Sequence, residues 1–199
     1  MKPLIILLAL SLWISALHAQ NEYDCGIIQY KKLISISQKD SITDLALNAA
    51  VQSVKKLEQE RCTDYTGKKN GEAYVIATRT GLFGEICLKK NDYAAVKEYI
   101  NYMKREHGSA EEQISFSFER IFAKRPEDVL TIIGFDKELL NDIVWGVLNN
   151  ESALTSKNYK KKFYQTIPKA KDLYPNYKKQ IDYLLTEISS ELKSLKANE

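Results

Sequence analysis

The residues of this chain best suited to chemistry lie between Lys157 and Lys179, in the stretch KNYKKKFYQTIPKAKDLYPNYKK. This stretch contains eight lysines and one acid, Asp172, interleaved with tyrosines. Ammonium groups beside aromatic rings can bind phosphates, carboxylates or stacked bases. The candidate partner-binding residues are Lys160, Lys161, Lys162, Tyr164, Lys169, Lys171 and Tyr174, with Trp145 from an earlier segment.

Two interpretations of this basic segment are open. It is either a lysine-rich solvated face over a tyrosine-containing core, or a contact surface for an acidic partner protein or an anionic envelope polymer. Nucleic acid is disfavoured because the cations of the segment are all lysine and lack the planar guanidinium that binds phosphate through two hydrogen bonds.

Histidine and cysteine chemistry has little support in this sequence. His107 is the one histidine beyond the N-terminal segment, and it precedes Gly108 at a predicted helix end, where the helix dipole favours it. A metal site of the His/Cys kind needs three or four converging ligands. We therefore expect no catalytic residue, metal or cofactor.

The three cysteines, Cys25, Cys62 and Cys87, allow one disulfide in an oxidising compartment. All three pairings are open. Cys25–Cys62 is favoured because both residues lie at the ends of predicted helices joined as a hairpin. The alternative is three reduced thiols buried as small apolar groups.

Carboxylate pairs can hydrolyse sugars without histidine, so an enzyme of this kind is the alternative hypothesis. Glu119, however, is predicted on the solvated face of an amphipathic helix. Glu58, Glu60 and Asp64 are mixed with Lys55, Lys56 and Arg61, which is consistent with surface charge pairs. No glycine-rich phosphate loop is present.

The N-terminus has the order of a secretory signal peptide. Lys2 precedes the apolar run from Leu4 to Ile14, and small residues follow up to Ala19. This predicts cleavage after Ala19 and a secreted or periplasmic protein. The run is shorter than the roughly 20 residues of a spanning helix, so we expect no membrane span after the signal is removed. Residues 20–199 are long enough for a single domain with its own core.

Helical periodicity predicts an all-α fold, in which about seven to nine helices form antiparallel hairpins stacked as a bundle or short α-solenoid. A capping box at Ser41 begins a helix over 42–61, and Asn91 begins one over 92–106 whose buried stripe includes Tyr93. A last helix over 175–195 begins at Pro175 and ends its apolar stripe at Leu195. Segments 25–37 and 71–89 are also predicted to be helical, although both contain β-branched runs.

The segment FAKRPEDVLTIIGFDKELLNDIVWGVLNN is interpreted as two helices joined by a turn. Pro126 sits in the first turn of one helix, Gly134 ends it, and Asp136 caps the next. Trp145 is the residue here whose exposure would mark a binding face.

Residues 110–150, with ISFSFERIFAKRPEDVL and the later VWGVLNN, resemble a segment of uncharacterised secreted all-helical proteins of Gram-negative bacteria. The resemblance implies a compartment and a fold, and no activity. The leading functional hypothesis is an exported, non-catalytic protein that binds another macromolecule, and one version of it is a periplasmic immunity protein against a delivered toxin. The sequence does not indicate an oligomeric state.

Overall fold

The computed structural model describes residues 26–59, 72–106, 111–149 and 157–197. Within these ranges the chain forms nine helices and no strand. They are α1 (26–37), α2 (Asp44–Gln59), α3 (Glu72–Lys90), α4 (Tyr93–Glu106), α5 (Glu111–Lys124), α6 (Pro126–Ile133), α7 (Lys137–Asn149), α8 (Tyr159–Thr166) and α9 (Ala170–Ala197). The predicted all-α fold is confirmed, including the helices over 25–37 and 71–89. Cys25, Cys62 and His107 lie outside the described residues, and so does the predicted signal peptide.

The odd-numbered helices α3, α5, α7 and α9 lie side by side in one row. Packing is most extensive between α5 and α7 and between α3 and α5, and α9 packs against α7. Helices α4 and α6 contact each other in a second layer. One cluster of buried apolar residues includes side chains from each of the nine helices. Contacts between successive helices, such as α3 with α4 and α8 with α9, therefore form hairpins around a shared core.

The buried faces follow the predicted periodicity, with two exceptions. Tyr93 is 49% exposed and Leu195 is 56% exposed, although both were predicted to be buried. In α4 the aromatic residues inside the core are Tyr99 and Tyr102, both fully buried. Their rings contact Phe83 of α3, so the packing of α4 against α3 adds these two tyrosines to the buried face that periodicity predicted.

The helix starts depend on side chains that reach free backbone N–H groups. The Thr43 hydroxyl accepts a hydrogen bond from the Ala46 N–H at 3.2 Å, and the Asp92 carboxylate accepts one from the Ala95 N–H at 2.9 Å. The predictions of Ser41 and Asn91 as the starting residues are therefore wrong. Asn91 instead has a φ of 51°, which lets the chain turn between α3 and α4.

The junctions around α6 agree with the prediction. Pro126 occupies the first turn, where its missing N–H costs no helical hydrogen bond. Gly134 has a φ of 58° and ends the helix by donating its N–H to the Leu130 carbonyl. The Asp136 carboxylate accepts hydrogen bonds from the N–H groups of Glu138 and Leu139, which begins α7.

Replacing Asp136 with alanine should lower the free energy of unfolding by about 0.5–2 kcal/mol, because two N–H groups of α7 lose their acceptor. Urea unfolding followed by circular dichroism measures the change. Asp136→Asn keeps an acceptor oxygen and should retain most of the stability. Equal losses in the two variants would show that the acceptor oxygen is not the source of the stabilisation.

Helix α9 is longer than predicted and has a kink. It begins at Ala170, five residues before the predicted start at Pro175. Tyr177 has non-helical angles, with φ −120° and ψ 30°. Pro175 explains this kink because proline has no N–H to donate and its ring clashes with the carbonyl four residues earlier.

None of the helices in the described ranges is both long enough and apolar enough to cross a membrane.

Candidate functional site

The predicted basic segment forms α8 and the first turns of α9. The side chains of Phe163 and Ile167 are fully buried and anchor the segment to the core. Lys160 and Lys161 lie on the exposed side of α8. A tight turn then joins the two helices, because Ile167 donates its N–H to the Phe163 carbonyl and Ala170 donates to the Ile167 carbonyl.

This turn places Lys171 of α9 beside Tyr164 of α8, and a second lysine–tyrosine contact lies within α8. The Lys171 Nζ lies 5.5 Å from the centre of the Tyr164 ring, and the Lys160 Nζ lies 6.0 Å from that of Tyr159. Such contacts orient an ammonium group without neutralising its charge. We call the exposed surface formed by Lys160, Lys161, Lys169, Lys171, Tyr164 and Tyr174 the basic face.

The tyrosines of the basic face remain protonated. The Tyr174 hydroxyl donates a hydrogen bond of 2.8 Å to Asp182, and this bond raises the pKa of Tyr174. Burial, with a smaller contribution from Asp182, raises the pKa of Tyr164. Both rings therefore contribute a neutral hydroxyl at physiological pH.

The lysines of the basic face are free of carboxylate partners. Within the described part of the chain, no ion pair joins Lys160, Lys161, Lys169 or Lys171 to an acid. Lys162, which the sequence also placed in this set, is partly buried. The exposed lysines thus leave a local excess of positive charge, even though the whole chain has a formal charge of only +3.

The structure extends this surface to a part of the chain that the sequence did not single out. Lys169 and Leu173 line an open pocket of about 160 Å³ together with residues 124–128, at the junction of α5 and α6. Arg125 is paired there with Asp128, its Nε lying 2.6 Å from a carboxylate oxygen. Lys124 remains an exposed cation beside Lys169. No sequence signal joins these segments, because they meet only when α9 packs beside α6.

Trp145 lies on a different surface from the basic face. Its side chain is 47% exposed, one helical turn after Asn141 on α7. The Asn141 side chain accepts a hydrogen bond from Tyr183 of α9. Tyr183 and Lys171 both belong to α9, and at about 1.5 Å per residue they lie roughly 18 Å apart along the axis of that helix. The predicted partner-binding residues therefore divide between two surfaces.

A buried polar cluster between α3 and α4 was also not predicted. Arg79 of α3 forms an ion pair of 2.7 Å with Glu106 of α4 and donates a hydrogen bond to the Tyr102 hydroxyl. That hydroxyl lies 2.6 Å from the hydroxyl of Thr80. Burial raises the pKa of Glu106, and Arg79 opposes this increase. The one sequence feature that could have indicated this cluster was an arginine within the apolar run AYVIATRT.

The carboxylates nearest this cluster already have arginine partners. Glu58 receives hydrogen bonds of 3.0 and 3.1 Å from Arg105, which the sequence did not single out as its partner. Neither Glu58 nor Glu106 lines the pocket at the junction of α5 and α6. Glu119 was predicted to be solvated and is only 5% exposed. These positions indicate structural ion pairs rather than an acid and a base facing a substrate.

The remaining candidates for chemistry are few in the described ranges. The Cys87 thiol is buried, and burial raises its pKa well above the usual value, which makes it a poor nucleophile. No group of three or more His, Cys, Asp and Glu side chains within those ranges is arranged to hold a metal ion. The predicted Cys25–Cys62 disulfide lies outside them.

Comparison of the chain with family models, curated proteins and solved structures finds no match. The resemblance of residues 110–150 to secreted helical proteins therefore stays a prediction. Function has to be argued from the surface and the sequence.

Proposed function

We propose that this chain is an exported, non-catalytic helical protein that binds an acidic macromolecule through the basic face. The supporting observation is a group of four exposed lysines that form no ion pair within the described ranges, two of which, Lys160 and Lys171, lie beside tyrosine rings. A purely solvated lysine face needs no such aromatic support. The N-terminal signal pattern supports an envelope or extracellular location for the interaction.

The acidic partner is a protein surface or an anionic envelope polymer. Lysine ammonium groups act as separate point charges, so they fit a partner whose negative charges are distributed along a chain or surface. Affinity of this kind falls as salt increases, because counter-ions screen exposed charges over about 10 Å at 0.1 M salt. The immunity-protein and carboxylate-hydrolase hypotheses stay predictions without a supporting observation among the described residues.

Reversing the charge of Lys160 and Lys161 together should weaken binding to acidic probes by about tenfold or more, which corresponds to about 1.4 kcal/mol. The probes are poly-glutamate, which represents an acidic protein, and lipopolysaccharide, which represents an envelope polymer. Isothermal titration calorimetry at low and high salt measures both affinities.

The matched control reverses Lys55 and Lys56, an adjacent and equally exposed lysine pair on α2. It makes the same change in net charge on another surface. A similar loss of affinity in both double variants would show that binding follows net charge, and absence of binding to either probe would also refute the proposal.

A further inference from the structure

Helices α1 and α2 leave an open groove on the outer side of their hairpin. The groove has a volume of about 290 Å³ and is lined by Lys31, Lys32, Ser35, Ile36 and Ala49. Its lining has more apolar than polar surface. Ser35 and Ala49 contribute small side chains to this lining.

Two large aliphatic side chains continue this groove beyond its lining. Leu45 is 81% exposed and lies one turn before Ala49 on α2, and Ile28 is 50% exposed and lies one turn before Lys32 on α1. Single exposed aliphatic residues are common on protein surfaces. Here each lies one helical turn before a residue of the groove lining, which places an exposed aliphatic side chain near the groove on each helix.

The hairpin is held in position by contacts at its connection. The Lys89 ammonium of α3 donates hydrogen bonds of 2.5 and 3.1 Å to the carbonyls of Ser37 and Lys39. Lys90 forms an ion pair of 2.8 Å with Asp44 at the start of α2. The groove is therefore preformed, and a ligand would not bear the cost of ordering it.

We propose that this groove binds a helical segment of a partner protein that is apolar on one face and carries Glu or Asp along its edges. The apolar floor accepts the apolar face, as in other helix-in-groove complexes. Lys31 and Lys32 are exposed and form no ion pair with an acid of the described ranges, so they supply the complementary charge. A second copy of this chain fits less well, because it would bring the same lysines to the interface.

The test uses two dye-labelled synthetic helices of about 15 residues, roughly four turns. Both carry leucines at every third or fourth position, one with glutamates at the edges and the other with lysines. Fluorescence anisotropy with the intact protein should show at least about tenfold tighter binding of the glutamate-edged helix. Leu45→Ser and Ala49→Trp should each weaken it several-fold, by removing an apolar contact and by filling the groove.

A matched variant identifies the surface that binds. Leu195→Ser removes another exposed leucine, on α9, and should leave the affinity for the glutamate-edged helix unchanged. The groove proposal fails if that helix does not bind, if the two helices bind equally, or if Leu195→Ser weakens binding as much as Leu45→Ser does.

Sedimentation of the protein without peptide tests whether a second copy of the chain occupies the groove. A concentration-dependent dimer that is lost in Leu45→Ser would make the groove a self-interface and overturn the proposal. The basic-face function is tested by poly-glutamate and lipopolysaccharide on other residues, so either proposal can fail while the other stands.

Discussion

Replacing Arg79 with methionine is expected to lower the free energy of unfolding by about 3–5 kcal/mol, the usual cost of removing one partner from a buried ion pair. The side chains of Arg79 and Glu106 are only 5% and 11% exposed, so Glu106 would be left as a buried carboxylate without a cation. The Tyr102 hydroxyl would also lose a hydrogen-bond donor. Urea unfolding of the purified protein measures the loss.

The double variant Arg79→Met, Glu106→Leu should recover most of this stability, because it buries no unpaired charge. Arg105→Met is a matched control. It breaks the ion pair with Glu58 by removing an arginine whose side chain is 40% exposed. The free energy of unfolding should therefore fall by no more than about 1 kcal/mol. If Arg79→Met costs no more than Arg105→Met, the buried pair does not stabilise the fold.

The destabilisation by Arg79→Met should also depend on pH. Burial raises the pKa of Glu106 in the folded protein, and removing Arg79 takes away the main effect that opposes this increase. A carboxyl with a raised folded-state pKa contributes stability that is complete below its unfolded pKa, about 4.3, and is lost as pH rises through the folded-state pKa. The difference from the native protein should therefore be largest near neutral pH and become smaller in acid.

Replacing Gly84 with alanine should destabilise the protein by about 1–3 kcal/mol, as overpacked core positions do. Gly84 is buried in α3, and a Cβ placed there would lie 2.8 Å from the Ser117 Oγ and 2.9 Å from the Ser117 Cβ. Without that contact, alanine would stabilise a helix by about 1 kcal/mol relative to glycine. The sign of the effect therefore reports how closely α3 approaches α5.

A double-mutant cycle with Ser117→Gly separates these two effects. In the Ser117→Gly background the obstructing atoms are gone, so Gly84→Ala should become neutral or stabilising. Thermal or urea unfolding of the four proteins gives the coupling energy. The same destabilisation in both backgrounds would mean that Ser117 is not the obstacle.

Helix positions were predictable because each depends on residues close together in the chain. The stripe Leu47, Ala50, Val51, Val54 and Leu57 predicted α2, and all five side chains are buried. The prediction of α3 was harder, because its first turns contain β-branched residues. It was confirmed because a helix pairs its backbone groups within the segment, whereas a strand needs a neighbour to pair with.

The candidate surfaces were predictable only in part. The composition indicated a basic aromatic segment, and two of its exposed lysines, Lys160 and Lys171, lie beside tyrosine rings. The separation of Trp145 from those lysines depends on how α7 and α9 pack, and the groove between α1 and α2 depends on two helices meeting. Neither arrangement has a signature in local spacing.

The sequence by itself determined the all-helical class, the approximate ends of most helices and the choice of Pro126, Gly134 and Asp136 at the α6–α7 junction. These follow from local hydrogen bonding and backbone preference. Tertiary structure decided that Tyr102 is buried and Tyr93 exposed. It also decided that Arg79 forms an ion pair with Glu106, and that Lys169 and Lys124 line the same pocket. The reason is that burial and charge pairing depend on which helices become neighbours. Residues that are distant from one another in the chain jointly determine how the helices pack.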